Sequence, residues 1–212
     1  GPSGHRGNHG AKYVLRVPFR TELERIGSSN GSMRVEGIEG TSKLRTSNGS
    51  VRVMRVKGVL DAETSNGSVD LNDHAGAATI RTSNGAVRAD GVRGYFEATT
   101  SNGSITARLS DPEAGRPVKF DSSNGSITLT MDAIRNNDIR ATTSNSSITL
   151  RLPTSLAANL RAQTSHSSVT TDFDVNVKPG RLSKDHVEGV IGSGGPLIGL
   201  STSNGSIRVL RM

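Results

Sequence analysis

Thr64-Ser65-Asn66-Gly67-Ser68 reads TSNGS, and the same five letters stand at Thr46–Ser50 and again at Thr202–Ser206. Near-copies fill the interval. Aligned on its asparagine, the motif falls at Asn30, Asn48, Asn66, Asn84 and Asn102, in steps of 18 residues. It continues at Asn124, Asn145, His166 and Asn204, in steps of 22, 21, 21 and 38. A fixed period near 20 marks a repeat architecture.

The columns around the asparagine show what each repeat builds. Three residues after it come Met33, Val51, Val69, Val87, Ile105, Ile127, Ile148, Val169 and Ile207. Five residues after it come mostly Val, Leu and Ala, and polar residues such as Arg34, Arg52, Asp70 and Arg88 stand between. That alternation is a strand with one buried and one wet face. Gly40, Gly58, Gly76 and Gly94 mark a second turn, and Leu44, Ala62, Ile80 and Ala98 point inward after it. Each repeat is two short strands and two turns.

An antiparallel meander and a solenoid both fit two strands per repeat. Asn-Gly between alternating runs is a strong hairpin signal, but a meander would need far more strands than the ~10 that open sheets rarely pass. Only stacking explains why one residue type recurs at one place in every copy. The expected fold is all-β, a single parallel β-solenoid of about nine to ten coils with roughly 18–22 residues each. TSNGS is then a corner, with Asn30, Asn48, Asn66, Asn84, Asn102, Asn124, Asn145, His166 and Asn204 forming a structural ladder. The glycine after each asparagine is expected to supply a positive φ.

Composition agrees. Aromatics are 3% and hydrophobic residues 32% of 212, too few for a thick globular core, while Gly reaches 25. No apolar run approaches the ~20 residues of a membrane helix. GPSG at positions 1–4 reads as a tag remnant, and residues 1–11 as a disordered tail. Residues 12–212 read as one solenoid domain, with 12–29 as N-terminal cap and first coil. Residues 172–195, broken by Pro179-Gly180 and the Gly192–Gly195 run, read as an irregular coil with an excursion loop. The ending on Ile207, Val209 and Met212 leaves an uncapped strand, open to end-to-end pairing.

Chemistry-bearing residues are sparse. Zero cysteines remove disulfides, thiolate metal sites and thiol catalysis. His5 and His9 are four apart in the tail, His74 and His186 are isolated, and no G-x-S-x-G turn occurs. Asp172 and Asp174 share a strand face, read as solvated, with a weak cation site as the sharper alternative. No catalytic residue, metal or cofactor is assigned. A net charge of +7 raises anionic partners, and Arg34, Arg52 and Arg88 form a candidate basic surface stripe, although Asp70 shares their column. Two Tyr and four Phe are too few for a base-stacking platform, so no specific nucleic acid is expected. Ice binding would need outward threonine rows, whereas alternation turns Thr46, Thr64, Thr82 and Thr100 inward.

The stretch TSNGSVRVMRVKGVLDAETSNGSVDL (residues 46–71) resembles the bacterial DUF4097 family of β-strand repeat proteins, labelled adhesin-like. YVLRVPFRTELERIGSSNGSMRV is similar to that family's N-terminal stretch, and IGSGGPLIGLSTSNGSIRVL to its C-terminal one, so the resemblance runs from Tyr13 to Met212. It implies a β-solenoid of the bacterial periplasm or cell surface and carries no catalytic residues. The expected function is a non-catalytic envelope scaffold or adhesin-like module, its partner an acidic envelope polymer or another protein. The alternative is a solenoid that polymerises end to end, with ice binding and a carbohydrate-active β-helix enzyme behind it. Monomer and edge-paired or end-to-end homo-oligomer both stay open.

Overall fold

The computed structural model describes residues 18–212, without the side chains of 178–182. Eighteen strands and no helix make up the described residues. In chain order they begin β1 Leu23–Ser28, β2 Met33–Glu36, β3 Glu39–Thr46, β4 Val51–Thr64, β5 Val69–Thr82 and β6 Val87–Gly94. Then come β7 Phe96–Thr100, β8 Ile105–Pro112, β9 Val118–Ser122, β10 Ile127–Met131, β11 Ile139–Thr142 and β12 Ile148–Leu152. Last are β13 Ala158–Thr164, β14 Val169–Thr171, β15 Val175–Leu182, β16 His186–Ile191, β17 Leu197–Thr202 and β18 Ile207–Arg211.

Two parallel ladders form the two faces of a β-solenoid. One runs β2–β4–β5–β6–β8–β10–β12–β18–β14. The other runs β1–β3–β4–β5–β7–β9–β11–β17–β13. Strands β4 and β5, 14 residues each, bend at the second corner and serve both ladders. Like residues meet across coils, as Val51 pairs with Val69 and Val69 with Val87. The inward columns are buried as their alternation requires: Val51, Val69, Val87 and Ile105 on one face, Leu44, Ala62, Ile80 and Ala98 on the other. Two facing strands leave room for little more than aliphatic side chains. The aromatic pair Phe96–Phe120, 5.7 Å between ring centroids, is fully buried in this core.

The second corner needs its glycines on two counts. Gly58, Gly76 and Gly94 hold φ of 114°, 128° and 123°, and a Cβ on Gly76 would stand 2.1 Å from the Gly58 carbonyl oxygen. Three residues ahead of this column lies another left-handed one that the alignment did not reveal: Gly37, Arg55, Asp73 and Gly91, with φ of 67°, 53°, 52° and 67°.

Vertical order departs from chain order in the last third. The chain completes about seven turns between Asn30 and His166, fewer than the nine to ten expected. After Leu152 it skips a level, so β13 and β14 lie two levels beyond β11 and β12. Strands β15 and β16 then pair antiparallel with each other, and β16 pairs antiparallel with β13. Residues 192–196 bring the chain back, and β17 and β18 fill the vacant level. Ile198 is seated between Ile139 and Leu160, and Val209 between Leu150 and Thr171. The end is tied down: Met212 N donates to Leu152 O at 3.0 Å, and Thr154 Oγ1 donates to Met212 O at 2.6 Å.

Two expectations are corrected here. The last strand is not an open edge, because it has a partner on each side. The irregular segment 172–195 holds an antiparallel hairpin, β15–β16, that extends the second face beyond β13, rather than a coil with a loop. At the other end β1 continues the second ladder beside β3, and Phe19 of the expected cap is 56% exposed. The remaining expected cap residues up to Val17, and the tail, lie outside the described residues.

Candidate functional site

At the first corner the asparagines stack as expected. Nδ2 of Asn48 donates to Oδ1 of Asn30 at 2.7 Å, and the pattern repeats through Asn66, Asn84, Asn102, Asn124 and Asn145 at 2.6–2.7 Å. The next rung is Asn204, which donates to Asn145 at 2.7 Å. His166 therefore comes after Asn204 in space, and its Nδ1 lies 3.3 Å from Ser203 O. The amides are exposed throughout.

Beneath the asparagines runs a second, buried row. Thr64 Oγ1 donates to Gly49 O at 3.0 Å, one coil away, and accepts from Gly67 N in its own coil at 3.2 Å. Thr82, Thr100 and Ser122 repeat the bridge. Thr46, Thr64, Thr82 and Thr100 thus point inward, leaving no outward threonine array at these positions. The corner glycines do not take the expected positive φ. They are needed because the coil next door is too close: a Cβ on Gly67 would stand 1.9 Å from Gly49 O, and one on Gly205 1.8 Å from Ser146 O.

The expected basic stripe is neutralised. Arg52 and Arg88 flank Asp70 at 3.7 and 3.5 Å, and Arg34 reaches Glu36 at 3.0 Å. The hydrogen bond from Arg34, and then the charge of Arg55, hold the Glu36 carboxyl below its ordinary range. Arg45 pairs with Glu63 and Asp61, and Arg81 with Asp61 at 3.5 Å. The Asp172–Asp174 pair is likewise occupied by protein. Arg211 N donates to Asp172 at 3.2 Å, and the Arg211 guanidinium meets Asp174 at 3.2 Å while covering the Phe173 ring.

The histidines do not converge. His5 and His9 lie outside the described residues, and His186 sits 3.5 Å from Glu188. His74 is fully buried beside Val56 of the neighbouring coil. Backbone of Val56 and Ala77 approaches its ring, but neither nitrogen is at hydrogen-bonding geometry, and burial pushes its pKa down. Asn137, which sequence reasoning passed over, is buried in the lengthened coil. Its amide donates to Glu113 O and Arg116 O at 2.6 and 2.9 Å and so holds that loop against its neighbour.

Sequence reasoning also passed over an outward row on the second face. In register it reads Lys43, Asp61, Thr79, Glu97, Lys119, Arg140, Gly199 and Arg161. Its first half is mixed in charge, and the only charges in its second half are basic. The signal was hidden because Gly199 joins the row only through the skipped level. Lys119, Arg140, Gly199 and Arg161 line an open concavity of about 430 Å³.

A family model described as Toastrack DUF4097 matches residues 72–210. No curated protein and no solved structure matches the chain.

Proposed function

We infer function from one premise: the chain belongs to the Toastrack DUF4097 family. It is a repetitive β-solenoid scaffold, and on our reading a non-catalytic one that serves attachment in the bacterial cell envelope, outside the cytoplasm. The observation that carries this reading is the fate of the recurring polar groups. Asparagine amides are used on one another, threonine hydroxyls on glycine carbonyls, and most arginines of the regular coils on carboxylates one coil away. What remains for a partner is the outer surface, with rows of side chains repeating at about 4.8 Å. Such a surface suits a long ligand held at many weak points.

Beads coated with the protein should retain isolated envelope fragments from the source bacterium and release them when the coat is heat-denatured first. Fractionation of that bacterium should place the protein outside the cytoplasm. Recovery with the cytosol, or equal retention by native and denatured coats, contradicts the reading.

A further inference from the structure

Gly199 lies in the middle of β17 with unbroken register on both sides, Arg140 to one side and Arg161 to the other. Glycine inside a strand weakens it and ordinarily marks a bulge, a close backbone or a ligand that must come near. The first is absent, because Ile198 and Leu200 keep their partners in both neighbours. The second is absent too. A Cβ at Gly199 would meet nothing nearer than Ile139 O at 3.9 Å, and its φ lies outside the left-handed region. A Cβ fits here without strain, in contrast to Gly205 in the same coil.

The charge of the row points the same way. Among the described residues, Lys119, Arg140 and Arg161 pair with no carboxylate. Asp138, at the rim, spends Oδ1 on Leu197 N at 2.7 Å. Glu97 and Glu188 border the row at its two ends, Glu97 accepting from Tyr95 and Glu188 lying beside His186. In the regular coils the place between two arginines holds an acid, as Asp70 does between Arg52 and Arg88. Here it holds a glycine.

We propose that the gap over Gly199 is an anion site, supplied from outside the protein by a phosphate group of a linear, base-free polymer. Arg140 and Arg161 stand two levels apart, about 9.6 Å between their strands, so one tetrahedral anion fits between their guanidinium forks. A second anion fits between Lys119 and Arg140, roughly 7 Å further along by the same spacing, which asks for a chain rather than a single ion. Thr142, Ser201 and Gln163 offer hydrogen bonds two residues along each strand. No aromatic side chain lines the groove, so bases have no platform to stack on. The partner class rests on the attachment reading above; the site itself rests on Gly199 and its three cations.

The test is calorimetric titration with linear polyphosphate, with poly(glycerol phosphate) and oligothymidylate of equal charge as parallel arms. The wild-type chain should bind the first two, whichever is tighter naming the source, with affinity falling steeply as salt rises. Gly199→Glu supplies the missing acid without a steric clash. It should melt at or above the wild-type temperature while losing at least tenfold in affinity. Arg140→Gln with Arg161→Gln should lose as much, and Arg52→Gln with Arg88→Gln less than twofold. Unchanged binding by Gly199→Glu, equal loss in the Arg52/Arg88 variant, or tighter binding of oligothymidylate overturns the site. If envelope fragments are retained on beads while neither phosphate polymer binds, the anion site fails alone and the attachment reading stands.

Discussion

The coils from Asn30 to Asn102 and the segment from Asn145 to Met212 use the same corner under different rules. In the first, each turn lies directly on the one before, and outward acids are mixed among the bases, as Asp70 lies between Arg52 and Arg88. In the second, a level is left open and filled by the chain's last two strands, an antiparallel hairpin follows β13 on the second face, and Gly199 stands where Arg161 would otherwise meet an acid on the way to Arg140. The regular coils show that local sequence suffices to build a stack. The last third shows that a corner motif fixes where a strand can sit without fixing when the chain arrives there. Every neighbour of β17 and β18 is distant in sequence, which makes their docking a long-range closure.

The largest expected effect separates the two regions. Removing residues 196–212 vacates one level between β11–β12 and β13–β14. Amide exchange should then show lost protection from β11 to β16, with β4, β5 and β6 still protected. Uniform loss along the chain would mean that the two regions fold as one unit.

Next comes a contrast between glycines. Gly67→Ala drives a methyl into the Gly49 carbonyl, and the forced backbone shift should cost about 3 kcal/mol or more. Gly199→Ala has open space and should gain roughly 0.5–1 kcal/mol by relieving a strand glycine. Denaturant melts measure both, and a loss at Gly199 would contradict the open groove.

Smaller still are the polar rows of the corner. Thr64→Val strands a buried carbonyl and a buried amide, at about 1–3 kcal/mol. Asn66→Ala breaks two exposed amide bonds that water replaces, so it should cost about 1 kcal/mol or less. A reversed ranking would make the exposed ladder, rather than the buried threonines, the structural element of the corner.

The smallest effect belongs to His74. Its folded pKa lies below the unfolded value of about 6.5, so the unfolded chain binds the proton more readily. The neutral ring's contribution is complete above that pH and is lost as pH falls below it towards the folded value. His74→Val, matching Val56 in the neighbouring coil, should remove this part of the acid sensitivity. An unchanged pH dependence of the melting temperature would place the acid lability elsewhere.

Much of this architecture could be read from the letters because stacking forces equivalent residues into columns. The inward valines, the Gly40–Gly94 turn, the inward threonines and the asparagine ladder all follow from period and alternation. What escaped were relations between columns and levels. Gly67 was assigned a backbone conformation, whereas its reason is the carbonyl of the next coil, which no single repeat reveals. Arg52 and Arg88 looked like a stripe because Asp70 had to be placed between them at bonding distance to cancel it. Gly199 was silent for the same reason, since its neighbours Arg140 and Arg161 come from levels that are not consecutive in the chain. The 38-residue step from His166 to Asn204 was the visible trace of the skipped level, and spacing alone does not say which level is skipped.

The intercalated terminal coil is tested most directly by cross-linking, which a chain without cysteine makes clean. Arg208 pairs in register with Thr149 on one side and Thr170 on the other. Adjacent parallel strands place paired Cα atoms about 4.8 Å apart, within disulfide range, and strands two levels apart fall beyond it. Thr149→Cys with Arg208→Cys should form a disulfide on mild oxidation, as should Thr170→Cys with Arg208→Cys, while Thr149→Cys with Thr170→Cys should not. A disulfide between positions 149 and 170, with none between 149 and 208, would mean that the coils stack in chain order and that β18 does not lie between β12 and β14.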